Sequence, residues 1–344
     1  MSLGPLDPAS VRAIVDRLAA LDPTGWGTGL SAANARACWS GAVEDLDPAA
    51  LTAPVAGTRP RAVLIVCSGK VFTTPLPWLL HLRARGVRVI AKPASGQEAS
   101  VRAMAEVVGG VDVRRWRGGE VEAEAAAMAE VDGVMAFGGA EAMAEIGRRV
   151  PPGVVWLPFG PRFGVGVVDT LDERAVDDVA LYDGHGCMSP AAWFARHADL
   201  DAAAAWMEAA EARLPRGNVD PADAAATRAR VMLARAVGEK RTGPGWAVLR
   251  LPAAHFSPIA LPRVLVVHPF TDIEEVRAAV APWRDRLGTV ATDLPGAYLG
   301  APRMCAPGRM QSPTCGRFHD GVDVLGALWR QKALRPDGDA GFAR

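Results

Sequence analysis

Val134-Met135-Ala136-Phe137-Gly138-Gly139-Ala140-Glu141 reads as a short apolar strand, two glycines and the start of a helix. A compact apolar run closed by glycine suits a strand buried on both faces, as in a parallel sheet. The turn that follows can offer free N–H groups and the positive end of a helix to a phosphate or a carboxamide. A Gly-Gly turn between strand and helix is also common punctuation, so the motif alone names no ligand. No GxGxxG follows a strand, and the usual dinucleotide fingerprint is missing.

The same alternation extends to both sides. Apolar strands are expected at residues 61–67, 87–91, 111–115, 133–137, 154–157 and 165–168, with helices at 76–85, 100–108, 123–129 and 140–150. Strands alternating with helices imply an α/β fold with a parallel sheet covered on both faces. Ligands of such sheets bind beyond the carboxyl ends of the strands. The Gly-rich and polar turns fall there: Ser68-Gly69-Lys70, Lys92-Pro93-Ala94-Ser95 and Gly138-Gly139-Ala140. Residues 1–54 read as a helical segment, with Val11, Ile14, Val15 and Leu18 at helical spacing. Helices are expected at 191–214, 221–239 and 273–286, strands at 246–251 and 263–269, and a loose tail after Pro336.

Composition narrows the function. The chain has 344 residues, half of them apolar, enough for two lobes. Lys+Arg and Asp+Glu balance at 38 each, which argues against a nucleic-acid partner held by phosphate neutralisation. No apolar run is long enough to span a bilayer, and the N-terminus does not read as a signal peptide. Five cysteines with no CxxC spacing fit a reducing cytoplasm and argue against a zinc cage; no metal is expected.

One cysteine stands apart. In Tyr182-Asp183-Gly184-His185-Gly186-Cys187-Met188-Ser189-Pro190, small and turn-forming residues surround Cys187, so a substrate could approach its sulfur. Such a thiol is a nucleophile or a small buried hydrophobe, and the glycines and the Ser-Pro favour the first. His185 lies two residues away; on an extended segment the two side chains would share a face. A Cys–His interaction and a plain loop hydrogen bond explain this histidine equally well.

Taken in order, these pieces resemble the aldehyde dehydrogenase superfamily, and within it the LuxC-type acyl-CoA reductase branch. Ile90-Ala91-Lys92-Pro93-Ala94-Ser95 is similar to the superfamily's strand ending in Lys-Pro, and Phe137-Gly138-Gly139-Ala140-Glu141 to its turn at the nicotinamide side. Asp183 to Pro190 is similar to the reductases' nucleophile segment, and residues 267–276 to a strand followed by an acidic helix start. Pro307-Gly308-Arg309-Met310-Gln311-Ser312-Pro313 with His319-Asp320-Gly321 is similar to the LuxC branch's C-terminal signature. Two departures stand out. Lys70 occupies the place of an oxyanion-holding asparagine, and 157–162 lacks the glutamate base of aldehyde-oxidising members.

The resemblance implies two Rossmann-type lobes with parallel sheets and an active-site crevice between them. The expected division is a helical segment at 1–54, a nucleotide-binding lobe at 55–180, a catalytic lobe at 181–310, and a C-terminal segment at 311–344 that returns toward the active site or the cofactor lobe. It implies an acyl-CoA reductase in which Cys187 takes the acyl group from acyl-CoA or another acyl thioester, with Lys70 and His185 assisting, and a reduced nicotinamide coenzyme completes the conversion to aldehyde. Ser68, Gly69, Lys92, Ser95, Gly138, Gly139 and Ala140 would contact the coenzyme. Ser95, where NAD-selective members often carry glutamate, favours NADPH, with NADH as the other option. A homodimer in the cytoplasm is the expected form. The rival readings are a reductase fed by a carrier protein or an acyl phosphate, and a homologue that binds nucleotide without catalysis.

Overall fold

The structure is a computed structural model that describes residues 3–329. The tail expected to be loose after Pro336 lies outside the described residues. Two sheets organise the chain. The first contains β1 (Ala62–Val66), β2 (Arg88–Lys92), β3 (Val111–Val113), β4 (Gly133–Phe137) and β5 (Val155–Phe159) in the order β3-β2-β1-β4-β5. All four pairings are parallel. The central strands are buried on both faces, as their unbroken apolar runs require. Helices Leu76–Ala84 and Glu98–Val108 pack on one face, and Val121–Ala129 and Ala140–Gly147 on the other. The N-terminal helices Pro8–Ala19, Ala32–Glu44 and Pro48–Thr52 add Val11, Leu18, Trp39 and Leu51 to the first of these cores.

The second sheet contains β6 (Phe163–Thr170), β7 (Pro190–His197), β8 (Glu239–Thr242), β9 (Ala247–Arg250), β10 (Val264–Pro269), β11 (Leu287–Thr292) and β12 (Arg303–Cys305). Its order is β12-β11-β6-β7-β10-β9-β8, parallel throughout except for β8 against β9. After it come a hairpin, β13 (Phe318–His319) and β14 (Val322–Asp323), and the helix Val324–Trp329. That helix lies against the first sheet. Leu328 fills the space a side chain at Gly133 of β4 would need, its Cδ2 only 2.5 Å from an ideal Cβ there. The amide of Thr58 bonds the Trp329 carbonyl at 2.9 Å.

Two expectations change. The lobe boundary at residue 180 falls too late, because β6 pairs with β7 and β11 and so belongs to the second sheet. The helix expected across 191–214 is instead the strand β7 followed by the helix Leu200–Arg213. Alanines in Pro190–His197 suggest helix, but Trp193 and Phe194 point to opposite faces and both are fully buried, and sheet burial overrides propensity.

Candidate active site

The carboxyl edge of the first sheet gathers the coenzyme candidates. Val66 of β1 is in register with Lys92 of β2 and with Ala136 of β4. Ser68-Gly69-Lys70, Pro93-Ala94-Ser95 and Gly138-Gly139-Ala140 therefore leave the sheet side by side. Strand order reverses between β1 and β4, the position at which doubly wound sheets bind nucleotides. Ser68 Oγ accepts the amides of Lys70 and Val71, and the Gly69 carbonyl accepts Gln97 Nε2 at 3.1 Å. Gly139 caps the helix Ala140–Gly147 with no side-chain bond, and nothing lies within 4 Å of the space above it. Ser95, Gly139 and Ala140 are exposed. An open turn with uncapped helical N–H groups and no crowding side chain fits a nicotinamide coenzyme.

Cys187 belongs to the second lobe, at the amino end of β7. The chain reaches it through three consecutive left-handed residues, Tyr182, Asp183 and Gly184, with φ of 54°, 52° and 73°. Side chains rarely adopt that conformation, and here a buried network holds it. Asp183 accepts Asn34 Nδ2 at 3.0 Å, Arg263 Nε at 2.8 Å and the Gly217 amide at 3.0 Å. The Tyr182 and Thr73 hydroxyls meet at 2.7 Å, tying the turn to the first lobe. A second turn, closed by Ser189 N on the Gly186 carbonyl at 2.9 Å, carries the cysteine itself.

Below that turn sits the C-terminal signature segment. Asp178 accepts the amides of Gly308 at 2.8 Å and Met310 at 2.7 Å, and Gln311 Nε2 donates to Ser189 Oγ at 2.8 Å. Gly186 is close-packed here: a Cβ would stand 3.0 Å from Gln311 Oε1. Burial pushes the Asp178 carboxyl up to about 7 against the pull of those two amides.

Cys187 is half-buried. Burial first, then the Asp320 carboxylate, pushes its thiol up to about 11, while Arg162 and Arg303 pull it down. Asp320 comes from the two-residue loop of the β13–β14 hairpin, where Asp320 and Gly321 are both left-handed, and it pairs with Arg162 at 2.8 Å. The His319 ring packs edge-on against Phe159 at 4.5 Å and Phe137 at 5.3 Å.

Lys70 and His185 meet, but not on the sulfur. Lys70 Nζ lies 3.5 Å from His185 Nδ1 and 3.2 Å from Asp223 Oδ2, and His185 Nε2 is 3.8 Å from the same carboxylate oxygen. His185 and Cys187 were expected to share a face of an extended segment. The left-handed turn before them and the tight turn around Cys187 break that geometry. Burial first, then Lys70, holds the His185 imidazole below its ordinary value. The contact joins the loop after β1 to the nucleophile loop and brings the two lobes together at this edge.

The other cysteines are set apart by depth. Cys38, Cys67 and Cys315 are buried, and burial pushes Cys67 up to about 12. Cys305 is half-buried on β12. Sequence reasoning missed Arg162, Asp178, Asp183, Arg303 and Gln311 as parts of the site. Asp183 and Gln311 lie inside quoted motifs and could have been found there. Arg263 and Asn34 are remote in sequence from the turn they hold and carry no local signal.

The sequence profile of the acyl-CoA reductase (LuxC) family matches residues 97–331. The chain belongs to that family. This acyl-CoA reductase is an aldehyde-forming oxidoreductase that uses a nicotinamide coenzyme. No curated protein matches the sequence. Among solved structures, an aldehyde dehydrogenase from Brucella melitensis biovar abortus 2308 is similar with a TM-score of 0.66 at 15% identity, covering 87% of this chain and 76% of that one. The NAD-dependent aldehyde dehydrogenase from Burkholderia multivorans gives 0.64 at 14% identity, covering 94% of this chain and 78% of that one. A mutant Proline Utilization A (PutA) from Bradyrhizobium japonicum gives 0.63 at 15% identity, covering 95% of this chain but 42% of that one. These likenesses establish the aldehyde dehydrogenase fold. No helix among the described residues of the reductase is long and apolar enough to cross a membrane.

Proposed function

We propose that this reductase forms aldehyde through a covalent acyl group on Cys187. The observation that carries the reading is the meeting of Lys70 and His185 at 3.5 Å, which sets the coenzyme edge of the first sheet against the loop bearing the thiol. The Cys187 sulfur would attack the thioester carbonyl carbon, the CoA sulfur would leave with the thiol proton, and the acyl group would remain on Cys187. A bound coenzyme supplies hydride to that acyl group. Collapse of the reduced adduct would break its bond to Cys187 and free the aldehyde, leaving a Cys187 thiolate that takes a proton from water to restore the thiol. The Cys187 amide would hold the oxyanion. Lys70, taken up by Asp223 and His185, would keep the crevice edge in place rather than meet the oxyanion. The region of the missing base, residues 157–162, supplies Arg162 instead of a carboxylate, and Arg162 pairs with Asp320, the carboxylate beside the thiol, which would hold that carboxylate back from activating hydrolytic water.

NADPH is the coenzyme we favour. Ser95 is exposed and uncharged, so residue 95 itself would set no carboxylate against a 2′-phosphate. Arg115, just past β3, lies 3.4 Å from Glu98 at the start of the helix following Ser95, and would supply a cation for that phosphate. A homodimer in a reducing, cytoplasmic setting accompanies this reading, the latter supported by five free thiols. The test is oxidation of NADPH by the purified protein with a panel of acyl-CoA chain lengths. Acyl carrier protein and acyl phosphate donors run beside it decide the donor class, and no oxidation with any donor contradicts the proposal.

A further inference from the structure

Arg303 touches the nucleophile loop from below. Its guanidinium donates to three carbonyls of the signature segment: Met310 at 2.8 Å, Arg309 at 2.6 Å and Ser312 at 2.9 Å. Its Nη1 also lies 3.8 Å from Sδ of Met188, the residue next to Cys187. Carbonyls orient a guanidinium but do not neutralise it. Among the described residues no carboxylate lies within ion-pair distance of Arg303, whereas Arg162, the other cation bearing on Cys187, is paired with Asp320. Two acidic groups feel the Arg303 charge without pairing with it. Asp178 accepts two backbone amides, and Asp45 faces Arg309 at 3.5 Å.

We propose that Arg303 is a positioning residue for Cys187: held by three carbonyls of the signature segment, it places an unneutralised positive charge beside the loop that carries the thiol. This gives the conversion of thiol to thiolate a standing source of help that neither His185 nor a helix N-terminus supplies. The charged groups bearing on Cys187 are then Arg303 from β12, Arg162 from the link between β5 and β6, and Asp320 from the hairpin. Lys70, His185 and Asp223 form their own cluster at the crevice edge. Because the arginine is fixed to the segment under the nucleophile turn, it also links the position of that segment to the reactivity of the sulfur.

The inference rests on Cys187 being the nucleophile of the proposed reaction, but its test needs no acyl donor. Alkylation of Cys187 by iodoacetamide is followed by peptide mass spectrometry from pH 7 to 10 in the full chain and in Arg303→Met, Arg303→Gln and Arg303→Lys. Removing one nearby charge should slow alkylation at a fixed pH by about tenfold in the Met and Gln variants, with Lys within about threefold of the parent. Gln keeps an N–H donor for the carbonyls and serves if Met does not fold. A Gln variant as reactive as the parent, or equal losses in Gln and Lys, would overturn the assignment. Intact Arg303 dependence with no acylation by any donor would instead count against the proposed function and leave this inference standing.

Discussion

Arg162 Nε stands 2.8 Å from Asp320 Oδ2, so the link between the two sheets is joined to the tip of the C-terminal hairpin beside the nucleophile. The pair brings opposite charges to bear on one thiol: Asp320 raises the Cys187 value and Arg162 lowers it. Asp320→Asn should therefore lower the pH midpoint of Cys187 alkylation and Arg162→Met should raise it. Each shift should be on the order of half to one pH unit, given partial exposure of the pair. Iodoacetamide rates against pH check both. A shift of the same sign in the two variants would contradict the pairing.

The buried carboxyl under the signature segment gives a second expectation. Asp178 rises from its ordinary value of 3.8 to about 7 in the folded chain. A raised folded value means the native state holds the proton more tightly than the unfolded chain. Its contribution is fully present below about 4 and is lost as pH rises through about 7. The loss across that window is on the order of 4 kcal/mol. Urea midpoints measured from pH 4 to 8 should fall with pH in the parent and change less in Asp178→Asn. Equal slopes would remove Asp178 as the cause.

Much of this was legible before the structure, and the reasons are specific. The strand at 133–137 agrees with β4, because glycine borders and a two-face apolar run leave little choice. Residues 61–67 and 263–269 behave similarly in β1 and β10. Local pattern failed at β7, where alanines favour helix but a place between β6 and β10 requires strand. No strand was expected at β11, residues 287–292, which follow directly on the helix expected at 273–286. In the site, Cys187 and the three loops of the first sheet could be read from motifs. The Arg162–Asp320 and Asp183–Arg263 pairs could not, because each joins segments far apart in sequence.

Glycine at 166 is required by close packing between neighbouring strands. A Cβ there would stand 1.9 Å from the Trp193 ring of β7. Gly166→Ala should destabilise the fold by about 3 kcal/mol or more, since neither strand can move without repacking the sheet. Thermal or urea unfolding checks it, and a loss under about 1 kcal/mol would contradict the packing described.

Arg115 is expected to discriminate between coenzymes. It borders the turn after β2 and, among the described residues, is paired with Glu98 at 3.4 Å. Arg115→Ala should raise KM for NADPH by about tenfold while leaving KM for NADH within about twofold, as loss of one phosphate contact implies. Equal effects on both coenzymes would place the 2′-phosphate elsewhere.

The most direct test of the account is intact-protein mass spectrometry after incubation with acyl-CoA in the absence of coenzyme. The account predicts one added acyl group, mapped to Cys187, absent in Cys187→Ala and discharged when NADPH is added. An acyl group on another residue, or NADPH oxidation that survives in Cys187→Ala, would contradict it.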